Sequence, residues 1–215
     1  MKLSMHRADG DLLEQVQNIC LSEHYLHRWP DPRSLPFGYA LEVDGQLHAA
    51  DGRLNGLIVM KKPQHHQQRR LFGYKGLPTS WQVLDLARVW VNPLLQHKQA
   101  NGHAGNVFSQ MVGLLLRQQG HERLCVVQRD WIDHHPPRFP DQPYHIEVVI
   151  SYCDLEHHDG VAYRASGFTW GGYTTDRTKE VYYRLLKSPR ADWRDITDQP
   201  AQLPLFADMP LVYPA

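Results

Sequence analysis

One stretch late in the chain constrains the fold most, because residues 148–172 hold two strand-like runs joined by a loop and a short helix. Val148–Tyr152 is an apolar run typical of a buried strand. Apolar residues within 161–165 recur at helical spacing, and Gly167 then supplies a helix stop before an aromatic strand. Asp154 lies in the acidic loop between the first strand and the helix. This succession predicts an α/β domain.

The rest of the chain alternates in the same way. Apolar spacing predicts helices over 9–21 and 106–119. Alternation, apolar runs and the turn pairs Asp44-Gly45 and Asn55-Gly56 predict strands over 37–43, 46–50, 57–60, 82–91, 124–128 and 181–186. We therefore expect one domain over 1–187, of α/β (α+β) class, with a mixed, mostly antiparallel sheet flanked by helices. Residues 129–145 would form an ordered insertion or lid, and 188–215 an extended tail.

Composition limits the classes of function. The 215 residues suit one domain, and 23 Lys+Arg balance 23 Asp+Glu, so the formal net charge is zero. A neutral chain is not typical of a high-affinity nucleic-acid binder, although an enzyme that touches DNA locally remains compatible with it. The three cysteines form no C-x-x-C pair, which argues against a disulfide scaffold or a zinc ribbon. No signal segment or membrane-length apolar run is visible, so we expect a cytoplasmic protein without a membrane partner.

Four segments carry a family resemblance. The pattern Ser-Tyr-x-Asp over 151–154, followed by His and Gly and then Tyr-x-Ala-x-Gly-Phe-x-x-x-Gly over 163–172, resembles the Mom family of phage DNA-adenine modification proteins. Leu-Ala-Arg-Val-Trp-Val over 86–91 is similar to that family's L-S-R-x-W-V strand. Asn-x-x-Ser over 106–109 and His-Tyr-Leu-x-Arg over 24–28 are similar to two further family segments. The resemblance covers roughly residues 20–185 and implies a GNAT-type N-acyltransferase fold.

The resemblance implies a transferase that modifies the N6 amine of adenine in double-stranded DNA. The transferred group would be of carbamoylmethyl or acyl type. The modification would have an anti-restriction role, because it would protect bacteriophage DNA from cleavage. Asp154 would act as general base and Arg88 would orient an anionic group. Tyr25 would stack on an extruded base, and Tyr163 lies where many N-acyltransferases carry the acid for a leaving thiolate. The catalytic candidates are Asp154, Arg88, Ser109, Tyr25, His24 and Tyr163.

Each candidate also has a structural interpretation. Arg88 would pair with Asp85 or Asp154, because a buried guanidinium is costly without a partner. Ser109 would bond back to its own helix, and Tyr25 would pin the loop from the core.

An acyl donor has a candidate loop of its own. Gln-Ala-Asn-Gly-His-Ala over 99–104 fits Q/R-x-x-G-x-G/A, in which small residues let backbone N–H groups and a helix dipole meet a pyrophosphate. The simpler interpretation is an Asn/Gly turn before a helix. The candidate contacts to acetyl-CoA or a related acyl donor are Gln99, Gly102, Ala104, Gly105 and Asn106. An alternative function is a GNAT N-acetyltransferase acting on a small amine, a protein or an aminoacyl-tRNA, and a third is a non-catalytic DNA- or clamp-binding protein.

Two further interactions, with DNA and with a metal ion, are expected from less specific sequence patterns. Lysine and arginine side chains would contact DNA phosphates, and an aromatic ring would insert between bases, although charged loops are usually only solvated. The DNA-binding candidates are Lys61, Lys62, Arg69, Arg70, Arg129 and Trp131. The sequence lacks the usual metal-ligand motifs. The metal hypothesis is an iron or zinc site formed by His157 or His158 with Asp154 and Asp159, and completed by His24 or His27.

The C-terminal tail carries a separate motif. Gln-Leu-Pro-Leu-Phe over 202–206 resembles the peptide by which bacterial replication and repair proteins bind the sliding clamp. Its candidate contacts are Gln202, Leu203, Leu205 and Phe206, and the alternative is a tail that packs on its own domain.

Overall fold

The computed structural model describes residues 1–63, 82–96, 106–118, 124–134, 146–174 and 177–186. The chain divides into two compact units: unit 1 comprises Met1–Lys62 with Asp85–Leu115, and unit 2 comprises Pro63–Leu84 with Leu116–Ala215. The described elements are β1 (Leu3–Ala8), α1 (Gly10–Ser22), a 3-10 turn (Pro32–Ser34), β2 (Phe37–Val43), β3 (Gly56–Lys61), β4 (Val83–Val91), α2 (Pro93–Gln96), α3 (Val107–Leu116), α4 (Val126–His134), β5 (Val148–Asp154), α5 (Val161–Ala165), β6 (Thr169–Tyr173) and β7 (Lys179–Leu185).

The described strands form a seven-stranded sheet in the order β1-β2-β3-β4-β5-β7-β6. Strand β4 begins in unit 2 and continues through unit 1. The registers of β1 with β2, β2 with β3, β3 with β4, β5 with β7 and β6 with β7 are all antiparallel. The predicted fold class, a mixed and mostly antiparallel sheet with helices, is confirmed.

Unit 1 is held together by the apolar face of α1 against β2 and β3. Val16, Ile19 and Cys20 of the helix form one buried cluster with strand residues that include Leu57 and Val59. Burying an aliphatic side chain of this size stabilises a fold by about 1.5–3 kcal/mol, so this face fixes the helix on the sheet. Arg88 of β4 lies on the same face of the sheet, because it pairs in register with Val59.

Unit 2 contains β5, β7 and β6 together with the first residues of β4. The carbonyl oxygen of Gln82 accepts hydrogen bonds from the N–H groups of Glu147 (2.8 Å) and Val148 (3.1 Å), which ties the start of β4 to the start of β5. Val83, Val148, Ile150 and Val181 then form a buried apolar cluster. This cluster anchors the strand whose C-terminal end carries Asp154.

Several predicted boundaries are confirmed and others are wrong. Helix α1 and strands β2, β3, β4, β5 and β7 lie where periodicity predicts them, within a few residues. Residues 46–50 are not a strand: after the Asp44-Gly45 turn the chain makes only isolated bridges, Val43 with Gln46 and His48 with Leu54. Strand β1 and helix α2 are not predicted by the sequence, and α3 is shorter than expected.

The strand expected over 124–128 is a further error. Residues 126–134 form helix α4, with Val127, Gln128 and Trp131 buried on one side. Val127 and Trp131 are four residues apart and therefore share a helical face, a relation that a five-residue apolar run hides. The N-terminal part of the expected lid is thus helical, and residues 135–145 lie outside the described residues. The single domain over 1–187 stays a prediction.

Within the part of the chain that the structure describes, no helix is long and apolar enough to cross a membrane.

Candidate functional site

In unit 1 the candidate site is centred on Arg88. Arg88 pairs in register with Val59, which packs against α1, so its side chain lies on the α1 face of the sheet. The residue is only 8% exposed. Its Nε donates to the carbonyl oxygen of Arg28 at 3.3 Å, and its Nη1 donates to the carbonyl oxygen of Ala87 at 2.6 Å. The bond to Arg28 joins strand β4 to the loop after α1, although the two residues are 60 positions apart in the sequence.

The electrostatics of Arg88 follow from this burial. Desolvation lowers the pKa of Arg88, and the nearby Cys20 thiol and Asp85 carboxylate raise it by smaller amounts. Among the described residues Arg88 forms no ion pair with Asp85, although this carboxylate is near enough to raise its pKa. Asp85 Oδ2 lies 3.3 Å from the ammonium of Lys61. The two bonds given above put the guanidinium against neutral carbonyl oxygens rather than a carboxylate. Such a cation is poised to attract an anion.

The loop after α1 brings His24 and Tyr25 to the same region of unit 1. Their rings stack with centroids 4.5 Å apart, and His24 Nδ1 accepts a hydrogen bond from Leu26 N at 3.2 Å. His24 is buried, whereas Tyr25 is half-buried. Tyr25 and Arg28 both contribute to the electrostatic environment of Arg88. The His-Tyr-Leu-x-Arg segment and the strand arginine are therefore brought together, as two parts of one resemblance.

Lys61 ends strand β3 in unit 1, and Lys62 follows it. The ammonium of Lys61 forms the ion pair with Asp85 described above. Burial lowers the pKa of Lys62, and its backbone N–H donates to the carbonyl oxygen of Ser34 at 2.7 Å. Lys61 therefore already has a structural partner, which weakens its case as a phosphate contact.

The start of α3 has a structural account. Asn106 Oδ1 accepts from Ser109 N at 3.2 Å, which is the bond of a helix N-cap, and Ser109 Oγ donates to the carbonyl oxygen of Asn106 at 3.1 Å. Both side chains are used within the helix, as the simpler interpretation of Ser109 predicts. The rest of the predicted pyrophosphate loop, Gln99, Gly102, Ala104 and Gly105, lies outside the described residues.

In unit 2 Asp154 ends strand β5 and begins a tight turn. Its Oδ1 accepts from Glu156 N at 3.1 Å, and its carbonyl oxygen accepts from the N–H groups of His157 (3.2 Å) and His158 (2.9 Å). Its Oδ2 lies 4.0 Å from the ammonium of Lys179, and the side chain is 15% exposed. The hydrogen bond from Glu156 N thus fixes the direction of a carboxylate that stays partly exposed, as a general base requires.

The turn also groups possible metal ligands. One oxygen or nitrogen each of Asp154, Glu156 and His157 lies within 4.8 Å of the others, and the last two residues are exposed. This set shares Asp154 and His157 with the predicted site but contains Glu156, whereas the predicted site had Asp159 and either His24 or His27. Burial, and secondarily the neighbouring His157, lowers the pKa of His158, so this ring favours the neutral form. The iron or zinc site stays a prediction.

Tyr163 lies on α5 and is held by a network of polar and aromatic contacts. Ser151 Oγ donates to the Tyr163 hydroxyl at 3.1 Å. The ring of Tyr163 stacks on Tyr182 with centroids 5.1 Å apart and planes 13° apart. The Tyr182 hydroxyl donates to Glu180 Oε2 and accepts from Arg164 Nη1, both at 2.7 Å. Only Tyr163 of these five residues is a predicted site residue; Ser151 belongs to the Ser-Tyr-x-Asp motif without a predicted role, and Arg164, Glu180 and Tyr182 have none either.

Asp154 and Tyr163 are not brought to one face of the sheet. Ser151 contacts Tyr163, and side chains alternate along a strand, so Asp154, three residues later, projects from the opposite face. The registers agree, since Ser151 pairs with Tyr182 and Asp154 pairs with Lys179. The two residues cannot exchange a proton directly, so any acid and base roles are separate.

Among the DNA-binding candidates, Trp131 requires a correction. Its side chain is fully buried in unit 2, so no ring edge is available to insert between bases. Arg129, on the same helix, is exposed and stays a prediction. Arg69, Arg70 and the whole clamp-binding motif, Gln202, Leu203, Leu205 and Phe206, lie outside the described residues.

Comparisons with known proteins reveal similarity only at the level of structure. No protein-family profile matches the chain, and no curated protein matches it significantly. Similar solved structures include a GNAT-superfamily phosphinothricin acetyltransferase from Sinorhizobium meliloti in complex with acetyl-CoA, with a TM-score of 0.49 and 9% identity over 89% of this chain and 95% of that one. Arabidopsis thaliana NAA60 in complex with acetyl-CoA has a TM-score of 0.48 and 9% identity, over 87% and 100%.

A spermidine N-acetyltransferase mutant from Vibrio cholerae is also similar, with a TM-score of 0.41 and 11% identity over 86% of this chain and 94% of that one. All three scores lie below 0.5, so the function proposed next is inferred from this chain's own residues.

Proposed function

We propose that this chain is a DNA-modifying transferase of the N-acyltransferase type, which attaches a carbamoylmethyl- or acyl-type group to the N6 amine of adenine. The observation that carries the proposal is the burial of Arg88 against the His24–Arg28 loop. Two segments that resemble the Mom family from distant parts of the sequence meet there. A chance likeness of short strings would give no reason for them to meet.

The proposed reaction gives Arg88 and Tyr25 tasks in binding the substrates. In unit 1 the Arg88 guanidinium binds an anionic group of the donor or of an intermediate, since burial strengthens its attraction for negative charge. Tyr25, beside it, offers a ring on which a base taken out of the duplex can stack. Access to the N6 amine requires such extrusion, because the amine of a paired adenine takes part in base pairing.

In unit 2 Asp154 takes the proton. The lone pair of the adenine N6 amine is conjugated with the ring, so the amine must lose a proton as its bond to the donor carbon forms. The Asp154 carboxylate accepts that proton, and the Glu156 N–H holds its other face in place. As the bond from the donor carbon to its leaving group breaks, a proton passes from the Tyr163 hydroxyl to the leaving atom through one bridging water, since Tyr163 lies on the opposite face of β5 from Asp154. An acyl-CoA donor would leave as its thiol.

The remaining partners belong to the same proposal. Double-stranded DNA is the substrate, exposed Arg129 is a candidate phosphate contact, and the tail motif would recruit the protein to a sliding clamp. The formal net charge of zero predicts weak, transient DNA binding that suits turnover.

The test is mass spectrometry of nucleosides from digested DNA of bacteria that express the protein. Wild type should yield a new, heavier deoxyadenosine whose mass identifies the group. Asp154→Ala should abolish it, and Asp154→Asn, which keeps an acceptor for Glu156 N, should do the same with an intact turn. Asp133→Ala, which removes an exposed acid from α4, is the matched control and should modify DNA like wild type.

Unmodified adenine from the wild-type culture, together with turnover of acetyl-CoA on free amines by the purified protein, would replace this proposal with the small-amine, protein or aminoacyl-tRNA acetyltransferase. A heavier deoxyadenosine made equally well by Asp154→Asn would remove Asp154 from the mechanism while leaving the activity in place.

A further inference from the structure

The covered face of the sheet in unit 2 carries polar groups where apolar packing would be expected. Ser151 lies in the middle of β5 and is fully buried, between Ile150 and Tyr152 and two strand positions from buried Val149 and Cys153. A buried hydroxyl costs free energy unless it is hydrogen-bonded. Alanine or valine would fill the space at this position. The hydrogen bond from the Ser151 hydroxyl to the Tyr163 hydroxyl gives a reason for a serine there.

Tyr182 provides a rigid support beneath Tyr163. It is fully buried, its ring lies nearly parallel to that of Tyr163, and its hydroxyl is bound on both sides, by Glu180 and by Arg164. Burial and the hydrogen bond to Glu180 raise the pKa of Tyr182 to about 12, so this phenol keeps its proton at neutral pH. Tyr182 therefore holds its neighbour without itself acting as an acid.

We propose that Ser151 is a positioning residue for Tyr163: its hydroxyl donates to the phenol oxygen, directs the Tyr163 proton away from the sheet and stabilises the phenolate that remains when this proton leaves. The inference rests on the proposed function, in which the Tyr163 proton passes to the leaving atom of the donor. The bond from Oη to the proton breaks, the bridging water takes this proton and gives one of its own to the leaving atom, and water later restores the proton to Tyr163. A hydrogen bond to the charged form of an acid makes the acid stronger.

Two variants isolate the hydroxyl. Ser151→Ala removes only the oxygen and leaves the packing nearly unchanged, and Ser151→Cys keeps the size while offering a much weaker donor. Ser166→Ala is the matched control, since the Ser166 hydroxyl donates at 2.7 Å to the carbonyl oxygen of Ala162 on the same helix and not to the phenol.

The direct measurement is an NMR titration of tyrosine ¹³Cζ-labelled protein, with the Tyr163 resonance assigned from Tyr163→Phe. We expect the pKa of Tyr163 to rise by about one unit in Ser151→Ala, by less in Ser151→Cys, and to stay unchanged in Ser166→Ala. The alkaline limb of the kcat profile for group transfer should move in the same direction. Transfer at pH 7 should fall about tenfold, with KM changed less than about twofold.

The possible results separate the inference from the function. An unmoved Tyr163 titration in both Ser151 variants overturns the inference, whether or not the wild type modifies DNA. A moved titration with an inactive wild type supports the Ser151–Tyr163 coupling and rejects the proposed function instead. A wild type that is active, with a pH profile unchanged in Ser151→Ala, overturns the positioning role even if the titration moves.

Discussion

At the scale of single residues, Gly160 determines whether the phenol network can form. Its backbone has φ +72°, in the left-handed region, and a Cβ at this position would overlap the hydroxyl and ring of Tyr182. Glycine is therefore required twice, for its conformation and for the space it leaves. The chain between the Asp154 turn and α5 passes this closely over Tyr182.

Replacement of Gly160 by alanine should cost about 2–4 kcal/mol of unfolding free energy, from backbone strain together with the overlap. Gly52→Ala is the control, because Gly52 also has a positive φ, +77°, but nothing lies within 4 Å of the added Cβ. That control should lose only about 1 kcal/mol. Urea denaturation of both variants measures the difference, and equal losses would show that Tyr182 does not crowd this position.

The site residues differ in how far sequence could predict them. Arg88 is recognisable because a charged residue inside an apolar strand needs a partner, and the structure gives it carbonyl oxygens. Ser151 belongs to the Ser-Tyr-x-Asp motif, but neither it nor Tyr182 indicates a role by itself, because a serine and a tyrosine in strands are usually packing residues. Their role depends on strand register, which brings them together across β5 and β7. Register is a long-range property that neither periodicity nor composition contains.

At the scale of elements, α4 shows how tertiary contacts override a local pattern. Gln128 is fully buried: its Oε1 accepts from Cys125 N at 2.9 Å, and its Nε2 donates to the carbonyl oxygen of Ile146 at 2.6 Å. One amide thus satisfies backbone groups before α4 and before β5. The short run Leu124–Gln128 is ambiguous between strand and helix, and these bonds favour the helix.

Gln128→Leu should therefore destabilise the protein far more than its similar size implies. The substitution leaves two backbone groups without their partners, at about 1–3 kcal/mol each, so we expect a loss of about 2–6 kcal/mol. Arg129→Ala, on the exposed side of the same helix, should change the stability by less than about 0.5 kcal/mol. Thermal and urea unfolding compare the two, and similar midpoints would mean that water replaces the lost bonds.

The other elements follow the strength of their sequence patterns. Strands β4 and β5 are long and strongly apolar, and their predicted bounds are nearly right. Strand β1 was missed because of its six residues only Ala8 is fully buried, so it has little apolar alternation. The Asp44-Gly45 turn was predicted correctly, with φ values of 48° and 85°, but a second turn through Asp51 and Gly52 stops the returning strand.

At the scale of the whole molecule, the buried thiols connect stability to pH. Cys20 lies in unit 1, and Cys125 and Cys153 lie in unit 2, all buried and free. Burial raises the pKa of Cys20 to about 12 and that of Cys153 to about 11, from an ordinary value of 9.0. The pKa of Cys125 is raised for the same reason. Native thiols should therefore react slowly with Ellman's reagent at pH 8, and denatured ones quickly.

The same shifts predict the direction of alkaline destabilisation. A thiol whose pKa is raised in the folded state contributes full stability below pH 9, because both states are then protonated. Between pH 9 and about 11 the unfolded chain loses the Cys153 proton while the folded protein keeps it, so stability should fall by about 1.4 kcal/mol per pH unit for this group. The variant Cys153→Ala has no thiol at this position, so this pH-dependent loss of stability is absent from it. At pH 8 this variant should have a lower free energy of unfolding than wild type, because the packing of the sulfur is lost. The difference between the two should shrink steadily towards pH 11, as measured by urea denaturation with a reductant present. Parallel stability curves would mean that the Cys153 sulfur is hydrated in the folded protein and that unit 2 is less tightly closed over β5 than its burial indicates.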